Sequence, residues 1–166
     1  FISQVKEDKV EFLSSIVLGL NDGLIELTGA LTGFSFALGS VRLTAMAGFI
    51  TGLSASLSMA ASAFMQARYE EGKHPKKAAL YTGVSYIFVV AFLVSPFLFF
   101  TQVVPALVLM LALAIAIIAS VSFYTSVLFA RSFSRQFFTM LFFSLGVSAV
   151  AFALGLAFRF LFGVGV

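Results

Sequence analysis

The 166-residue chain contains no cysteine and no tryptophan, and only 10% of its residues are charged. The absence of cysteine excludes disulfides, thiolate metal sites and iron–sulfur clusters. The absence of tryptophan leaves the aromatic anchoring of a membrane interface to the four tyrosines, which are Tyr69, Tyr81, Tyr86 and Tyr124. So few charges provide too little polar surface to cover a soluble globule of this length.

Apolar residues are abundant: they make up 61% of the chain, and the mean hydropathy is +1.10. Five runs reach the length of about 20 residues that a bilayer core about 30 Å thick requires of a helix. A spanning segment must satisfy its own backbone hydrogen bonds, which favours helices for runs of this length. We therefore predict an all-α, polytopic protein whose residues 16–166 form five transmembrane helices, near 16–38, 45–67, 78–99, 104–129 and 136–162.

The basic residues indicate how these helices are oriented. Eight of the ten Lys and Arg would lie on the side of the N-terminus, and only Arg42 and Arg159 on the other. This bias predicts a cytoplasmic N-terminus and, after five spans, a C-terminus outside. Residues 1–15 mix apolar and charged side chains, and the apolar ones recur at a helical spacing. This pattern predicts an amphipathic segment along the cytoplasmic face. Because the basic residues lie in links rather than in one stripe, nucleic acid is not an expected partner.

Two acidic residues, Asp22 and Glu26, lie inside the first predicted span, and no other acidic residue lies at membrane depth. An ionised side chain in hydrocarbon costs roughly 2.5–3.5 kcal/mol on insertion scales, so such a residue indicates an ion, proton or substrate site. Four residues apart on a helix, the two carboxylates share a face, with Asn21 beside them. The alternative interpretation is that they only form hydrogen bonds to neighbouring helices or point up to the membrane interface.

Met59 in the second predicted span is a candidate third ligand. Asp22 lies about 9 Å and Met59 about 12 Å from the cytoplasmic ends of their spans, at 1.5 Å per residue. Carboxylate oxygens beside a thioether suit a borderline transition metal better than Ca²⁺ or Mg²⁺. If two protomers met along span one, the pairs of Asp22, Glu26 and Met59 would give six ligands for Fe²⁺ or Mn²⁺. Met59 alone is also a common filler of apolar cores.

Small residues recur every four positions in the first two spans. This spacing lets helix backbones approach closely, either within one bundle or at a dimer seam. The candidate positions are Gly19, Gly23, Gly29, Gly33, Gly48 and Gly52. Spans three to five carry bulky apolar residues and few polar groups, so we expect them to be lipid-facing support.

Other polar residues suggest weaker hypotheses. Glu70 and Glu71 fall in the cytoplasmic link after span two, where they either attract metal towards the site or are simply solvated. Ser54, Ser56 and Ser58 have no partnering base at membrane depth, so we do not expect an enzyme. Nor do we expect a tightly bound cofactor.

The run from Asn21 to Ile25, Asn-Asp-Gly-Leu-Ile, and the run from Ser58 to Ala61, Ser-Met-Ala-Ala, resemble the vacuolar iron transporter family. The resemblance implies a five-helix homodimer whose pathway follows the first two helices at the dimer seam. It implies transport of Fe²⁺, and often Mn²⁺, out of the cytoplasm, commonly in exchange for protons, across a cell or vacuolar membrane. Carried over by position, Asp22 is the metal and proton site and Met59 a second ligand.

The chain departs from that family at two places. Where the family motif continues with a glutamate, Ala63 stands here, and the long Glu-rich insertion of many members is reduced to residues 68–77. Some relatives carry a ferritin-like domain ahead of the membrane part, and the chain begins at Phe1. Two alternative functions therefore stay open: a membrane anchor or assembly module for such a soluble domain, and a passive cation channel.

Overall fold

The computed structural model describes the backbone of residues 2–163 and the side chains of residues 12–163. This part of the chain folds into five α-helices joined by short links, and the predicted all-α class is confirmed. The helices are α1 (Ile2–Leu38), α2 (Val41–Arg68), α3 (Pro75–Phe99), α4 (Val103–Leu128) and α5 (Phe133–Phe162).

Four of the five helices, α2 to α5, are long and apolar enough to cross a membrane. The protein is therefore an integral, multi-pass membrane protein. Helix α1 is not among the four, because Asn21, Asp22 and Glu26 lower the hydropathy of its central turns. That α1 crosses the membrane, and that its N-terminus is cytoplasmic, stay predictions.

The observed helices begin and end within a few residues of the predicted spans, except that α1 already begins at Ile2. Residues 2–15 of the predicted amphipathic segment are thus the first part of a continuous helix, and the side chains up to residue 11 lie outside the described residues. The link between α1 and α2 is only two residues long. Gly39 adopts a φ of +60°, which favours glycine, and the hydroxyl of Ser40 accepts a hydrogen bond from Leu43 N at 3.4 Å.

Helix α1 lies at the centre of the bundle and packs against all four other helices, most extensively against α5 and α3. Helix α2 packs mainly against α3. Residues from the C-terminal end of α2 and the N-terminal parts of α1 and α3 line one small cavity, so these three ends lie together. We call this end of the bundle the N-terminal side.

Helix α3 contributes six side chains to the main buried core, which corrects the expectation that it is lipid-facing support. A continuous series of its side chains is at most 3% exposed: Tyr86, Val89, Val90, Leu93, Val94 and Phe97. These residues pack against Leu24, Leu27 and Leu31 of α1. The apolar content of α3 is as high as that of a lipid-facing helix, but its position between α1, α2 and α4 covers most of it.

Candidate functional site

The two acidic residues of α1 lie one turn apart, on a part of the helix that its neighbours leave accessible. The side chain of Asp22 is partly buried and that of Glu26 is exposed on the surface of the protomer. Between them, Gly23 lets α3 approach, since a Cβ there would lie 3.3 Å from Cβ of Val89. The carboxylates thus lie beside the contact of α1 with α3, and the side chain of Glu26 is open to the surroundings of the protomer.

Tyr86 of α3 donates a hydrogen bond from its hydroxyl to Oε2 of Glu26 at 2.8 Å. The tyrosine is fully buried, so its ring is fixed by the core and only its hydroxyl reaches the carboxylate. Tyr86 therefore does not lie at the membrane interface, and the prediction that it helps to anchor the protein there is wrong. One property of the sequence could have indicated that Tyr86 lies in the core. A buried tyrosine hydroxyl needs a polar partner, and the predicted spans contain few polar side chains other than the carboxylates of α1.

Asn21 lies next to Asp22 and has a buried side-chain oxygen, Oδ1, without a hydrogen-bond partner among the described residues. A buried acceptor that is left unpaired costs about 1–3 kcal/mol. Asn21 is the neighbour in sequence of the proposed metal ligand Asp22. Its unpaired amide oxygen is therefore a further candidate ligand near the site.

The register of α1 against α2 sets the depth of Met59. The two helices run in opposite directions: Gly48 of α2 packs against Leu31 of α1, while Ala63 and Leu18 line the same cavity at the N-terminal side. Counting between these two pairs places Met59 level with Asp22. The side chain of Met59 is half-buried and packs against the main apolar core.

Helix α2 exposes a polar stripe that the sequence analysis did not recognise. Ser54, Ser58, Ser62 and Gln66 follow one another at intervals of four, and all four are exposed. Ser56, by contrast, is buried and donates to Leu53 O at 2.7 Å. The stripe leads from the depth of the carboxylates to the N-terminal side, so it offers water or a hydrated ion polar contacts along that route.

The small cavity at the N-terminal side has a volume of about 60 Å³ and lies between α1, α2 and α3. Ser14, Ala63, Gln66 and Glu70 are among its lining residues. Ala63, where the family motif has glutamate, therefore stands in the wall of this cavity. Thr82, also in the wall, donates to Ser15 O at 3.1 Å and ties α3 to α1.

Glu70 and Glu71, the predicted acidic attraction site, differ in their surroundings. Glu70 lines the cavity, forms an ion pair with Lys73, and accepts a hydrogen bond from Gln66 Nε2 at 3.1 Å. The bond from Lys73, with that from Gln66, holds the pKa of the Glu70 carboxyl below its usual range. Glu71 is exposed and is not among the residues lining the cavity. The carboxylate of Glu70 is thus already engaged by a cation of its own chain.

Comparison with known proteins bears on this geometry. Residues 13–74 match the model of the VIT family. The match supports membership of the vacuolar iron transporter family over these residues. It covers the described part of α1 from Leu13, all of α2 and the link that follows. No curated protein and no solved structure matches the chain.

The segment matched by the VIT family contains every residue that the sequence analysis proposed as a metal ligand. Within residues 12–163, however, no group of three or more His, Asp or Glu side chains is arranged to hold a metal ion. One protomer brings together two carboxylates, Asp22 and Glu26, and a metal ion in a protein site needs more ligands than that. The role of Asp22, Glu26 and Met59 stays a prediction.

The six glycines predicted to mediate helix packing, at positions 19, 23, 29, 33, 48 and 52, all pack against helices of the same protomer. Gly19 and Gly23 face α3, Gly29 and Gly33 face α5, and Gly48 and Gly52 face the side chains of Leu31 and Val90. Of the two interpretations given for them, packing within one bundle describes these contacts. A dimer seam along α1 would have to use other positions.

Proposed function

We propose that this protein transports Fe²⁺, and Mn²⁺ as a second substrate, out of the cytoplasm in exchange for protons. Its family is one of membrane metal-ion transport. The observation that carries the finer proposal is the pair formed by Asp22 and Glu26 on an accessible part of α1, with Glu26 held by Tyr86. Neither carboxylate forms an ion pair with a basic side chain among residues 12–163. Accessible carboxylates of this kind at membrane depth are suited to bind and release a cation.

The proposal includes α1 as a fifth span. Its packing supports this: Gly29 lies against Val147 and Gly33 against Ala151 of α5, which is apolar enough to cross the membrane. Both contacts lie farther from the N-terminal side than the two carboxylates do. Helix α1 therefore continues beside α5 past Asp22 and Glu26. A helix that accompanies a spanning helix over this length lies at the same depth in the bilayer.

The proposal also includes a homodimer. A single protomer supplies two carboxylates and the thioether of Met59, and two protomers facing each other along α1 would supply six such groups. The exposed carboxylate of Glu26 and the serine stripe of α2 are the parts of the protomer that such a face would cover. In a bilayer, exposed polar groups of this kind favour association with a partner that pairs them.

The exchange mechanism follows from the chemistry of a carboxylate. A metal ion and a proton compete for the same oxygen lone pairs, so metal binding expels protons and protonation releases the metal. The metal would approach along the polar stripe of α2 from the N-terminal side, where the small cavity opens near Gln66. Protons that arrive from the opposite side of the membrane would then protonate the carboxylates and release the metal ion.

The test is metal flux into proteoliposomes that contain purified protein, with an imposed pH gradient. We expect Fe²⁺ and Mn²⁺ flux with the wild type and at least a tenfold loss in Asp22→Asn, which keeps the shape of the side chain and removes its charge. Glu71→Gln is the matched control, since it removes a carboxylate outside the site, and we expect it to transport normally.

Three outcomes would contradict the proposal. Absence of flux in folded wild type would favour a membrane anchor, and equal flux in wild type and Asp22→Asn would remove Asp22 from the pathway. Metal flux that ignores the pH gradient and moves no protons would favour a passive cation channel. Size-exclusion profiles of each variant before reconstitution show whether the protein is folded.

A further inference from the structure

An apolar groove of about 450 Å³ lies between α1, α3 and α4, away from the carboxylates. Its walls include Ile16 and Leu20 of α1, the neighbouring rings of Phe88 and Phe92 of α3, and Ala116 of α4. The two phenylalanines are 51% and 43% exposed, so the groove opens sideways to the surroundings of the bundle. In a membrane protein those surroundings are lipid.

The groove is elongated along the helix axis. On α4 it extends from Leu113 to Tyr124, which is about 16 Å at 1.5 Å per residue. Most of the lining is apolar, and the hydroxyl-bearing residues Ser120 and Tyr124 lie towards one end. This shape and polarity match an acyl chain with its polar end at Tyr124.

A basic pocket lies at the same end of the bundle as Ser120 and Tyr124. Helix α4 ends at Leu128, about 6 Å past Tyr124, and the link then folds back because Arg131 N donates to Ser126 O at 3.1 Å. Arg131 and Arg135 line this second cavity together with Ser132, Gln136 and Thr139. Among residues 12–163, neither arginine forms an ion pair with a carboxylate. Two neighbouring guanidinium groups with hydroxyl and amide neighbours are suited to a phosphate.

We propose that an anionic phospholipid binds at this place, with an acyl chain in the groove and its phosphate at Arg131 and Arg135. Basic pockets between membrane helices are recognised binding sites for anionic head groups, and each arginine near the surface contributes about a fivefold gain in binding. A free phosphate would satisfy the arginines only, whereas a lipid also fills the groove. The proposal does not depend on metal transport, because the residues of the lipid site do not include Asp22, Glu26 or Met59.

The test is lipid binding to the purified protein in neutral detergent, measured by native mass spectrometry and by thermal stabilisation. The probes are dioleoyl phosphatidylglycerol, dioleoyl phosphatidylcholine with the same chains, and inorganic phosphate. We expect phosphatidylglycerol to bind more tightly than phosphatidylcholine. The double variant Arg131→Gln/Arg135→Gln should weaken phosphatidylglycerol about 30-fold. It should weaken phosphatidylcholine less, because the choline cation beside its phosphate leaves that head group without net charge.

Two further variants separate tail from head group. Ala116→Phe, at an exposed position of α4, should fill the groove and weaken both lipids. Arg42→Gln, at the opposite end of the bundle, is the matched charge control and should bind as the wild type does. Equal affinity for the two lipids, or an unchanged preference in the double arginine variant, would overturn the proposal. So would full competition by inorganic phosphate together with normal lipid binding in Ala116→Phe, which would indicate an anion site without a lipid tail.

Discussion

The hydrogen bond between Tyr86 and Glu26 offers a direct test of how the carboxylate is held. Tyr86→Phe removes the hydroxyl that donates to Glu26 Oε2 and keeps the buried ring in place. A bond to a charged acceptor is worth about 1.5–3 kcal/mol in soluble proteins, while side-chain bonds between membrane helices average about 0.6 and reach about 1.7 kcal/mol. Because Glu26 is exposed, we expect the lower scale to apply, with a loss of about 1 kcal/mol in the free energy of unfolding.

The assay is unfolding of the purified protein in mixed micelles with increasing denaturing detergent, arranged as a double-mutant cycle with Glu26→Ala. We expect a coupling energy of about 1 kcal/mol between the two positions, whereas independent sites add within about 0.3–0.5 kcal/mol. Tyr69→Phe, which removes a hydroxyl from an 82% exposed ring, is the control and should be neutral. If the effects of Tyr86→Phe and Glu26→Ala simply add, the hydroxyl does not hold the carboxylate, and the geometry of the site as described is wrong.

Three further predictions concern packing and the N-terminal side. Gly155→Ala places a Cβ 2.5 Å from a carbonyl oxygen of α1 and should destabilise the bundle by about 1–3 kcal/mol. The control is Gly146→Ala, whose Cβ meets nothing within 4 Å and which should be tolerated. Unfolding of the two variants in micelles tests this difference. Thr82→Val removes the hydrogen bond from α3 to α1 and should cost about 0.6 kcal/mol in the same assay, so a neutral result would mean that the bond contributes nothing. Lys73→Gln should raise the pKa of Glu70 towards its ordinary value, as followed by carboxyl NMR titration. Because the pKa of Glu70 is lowered in the folded state, the contribution of the pair to stability is complete above the ordinary pKa of the carboxyl and is lost as the pH falls from that value through the lowered one. An unchanged Glu70 pKa in the variant would contradict this.

Much of the fold could be predicted from the sequence because helix signals are local. Gly39 ends α1, and Pro75 stands in the first turn of α3, close to the predicted boundaries. The shared face of Asp22 and Glu26 also follows from helical periodicity alone. The match of residues 13–74 to the VIT family agrees with the short motifs around Asp22 and Met59.

The site was only partly predictable because its other members lie far away in the chain. Tyr86 is 60 residues from Glu26, and nothing in the apolar pattern of α3 distinguishes it from an interface tyrosine. The polar stripe that ends at Gln66 could have been found from its spacing of four, but its exposure depends on α3 packing against the opposite side of α2. The sequence likewise does not reveal that Glu70 pairs with Lys73 at the mouth of the small cavity.

By itself, the sequence determined the membrane class, the five helices and the pair of carboxylates on one face of α1, because composition and helical periodicity are properties of single segments. The tertiary structure alone decided that α3 is the core helix, that the glycines pack within the protomer, and that Tyr86 holds Glu26. In lipid, helices do not associate by hiding apolar surface from water. They pair by the fit of their shapes and by hydrogen bonds across the contact, and both properties arise only when two particular helices meet.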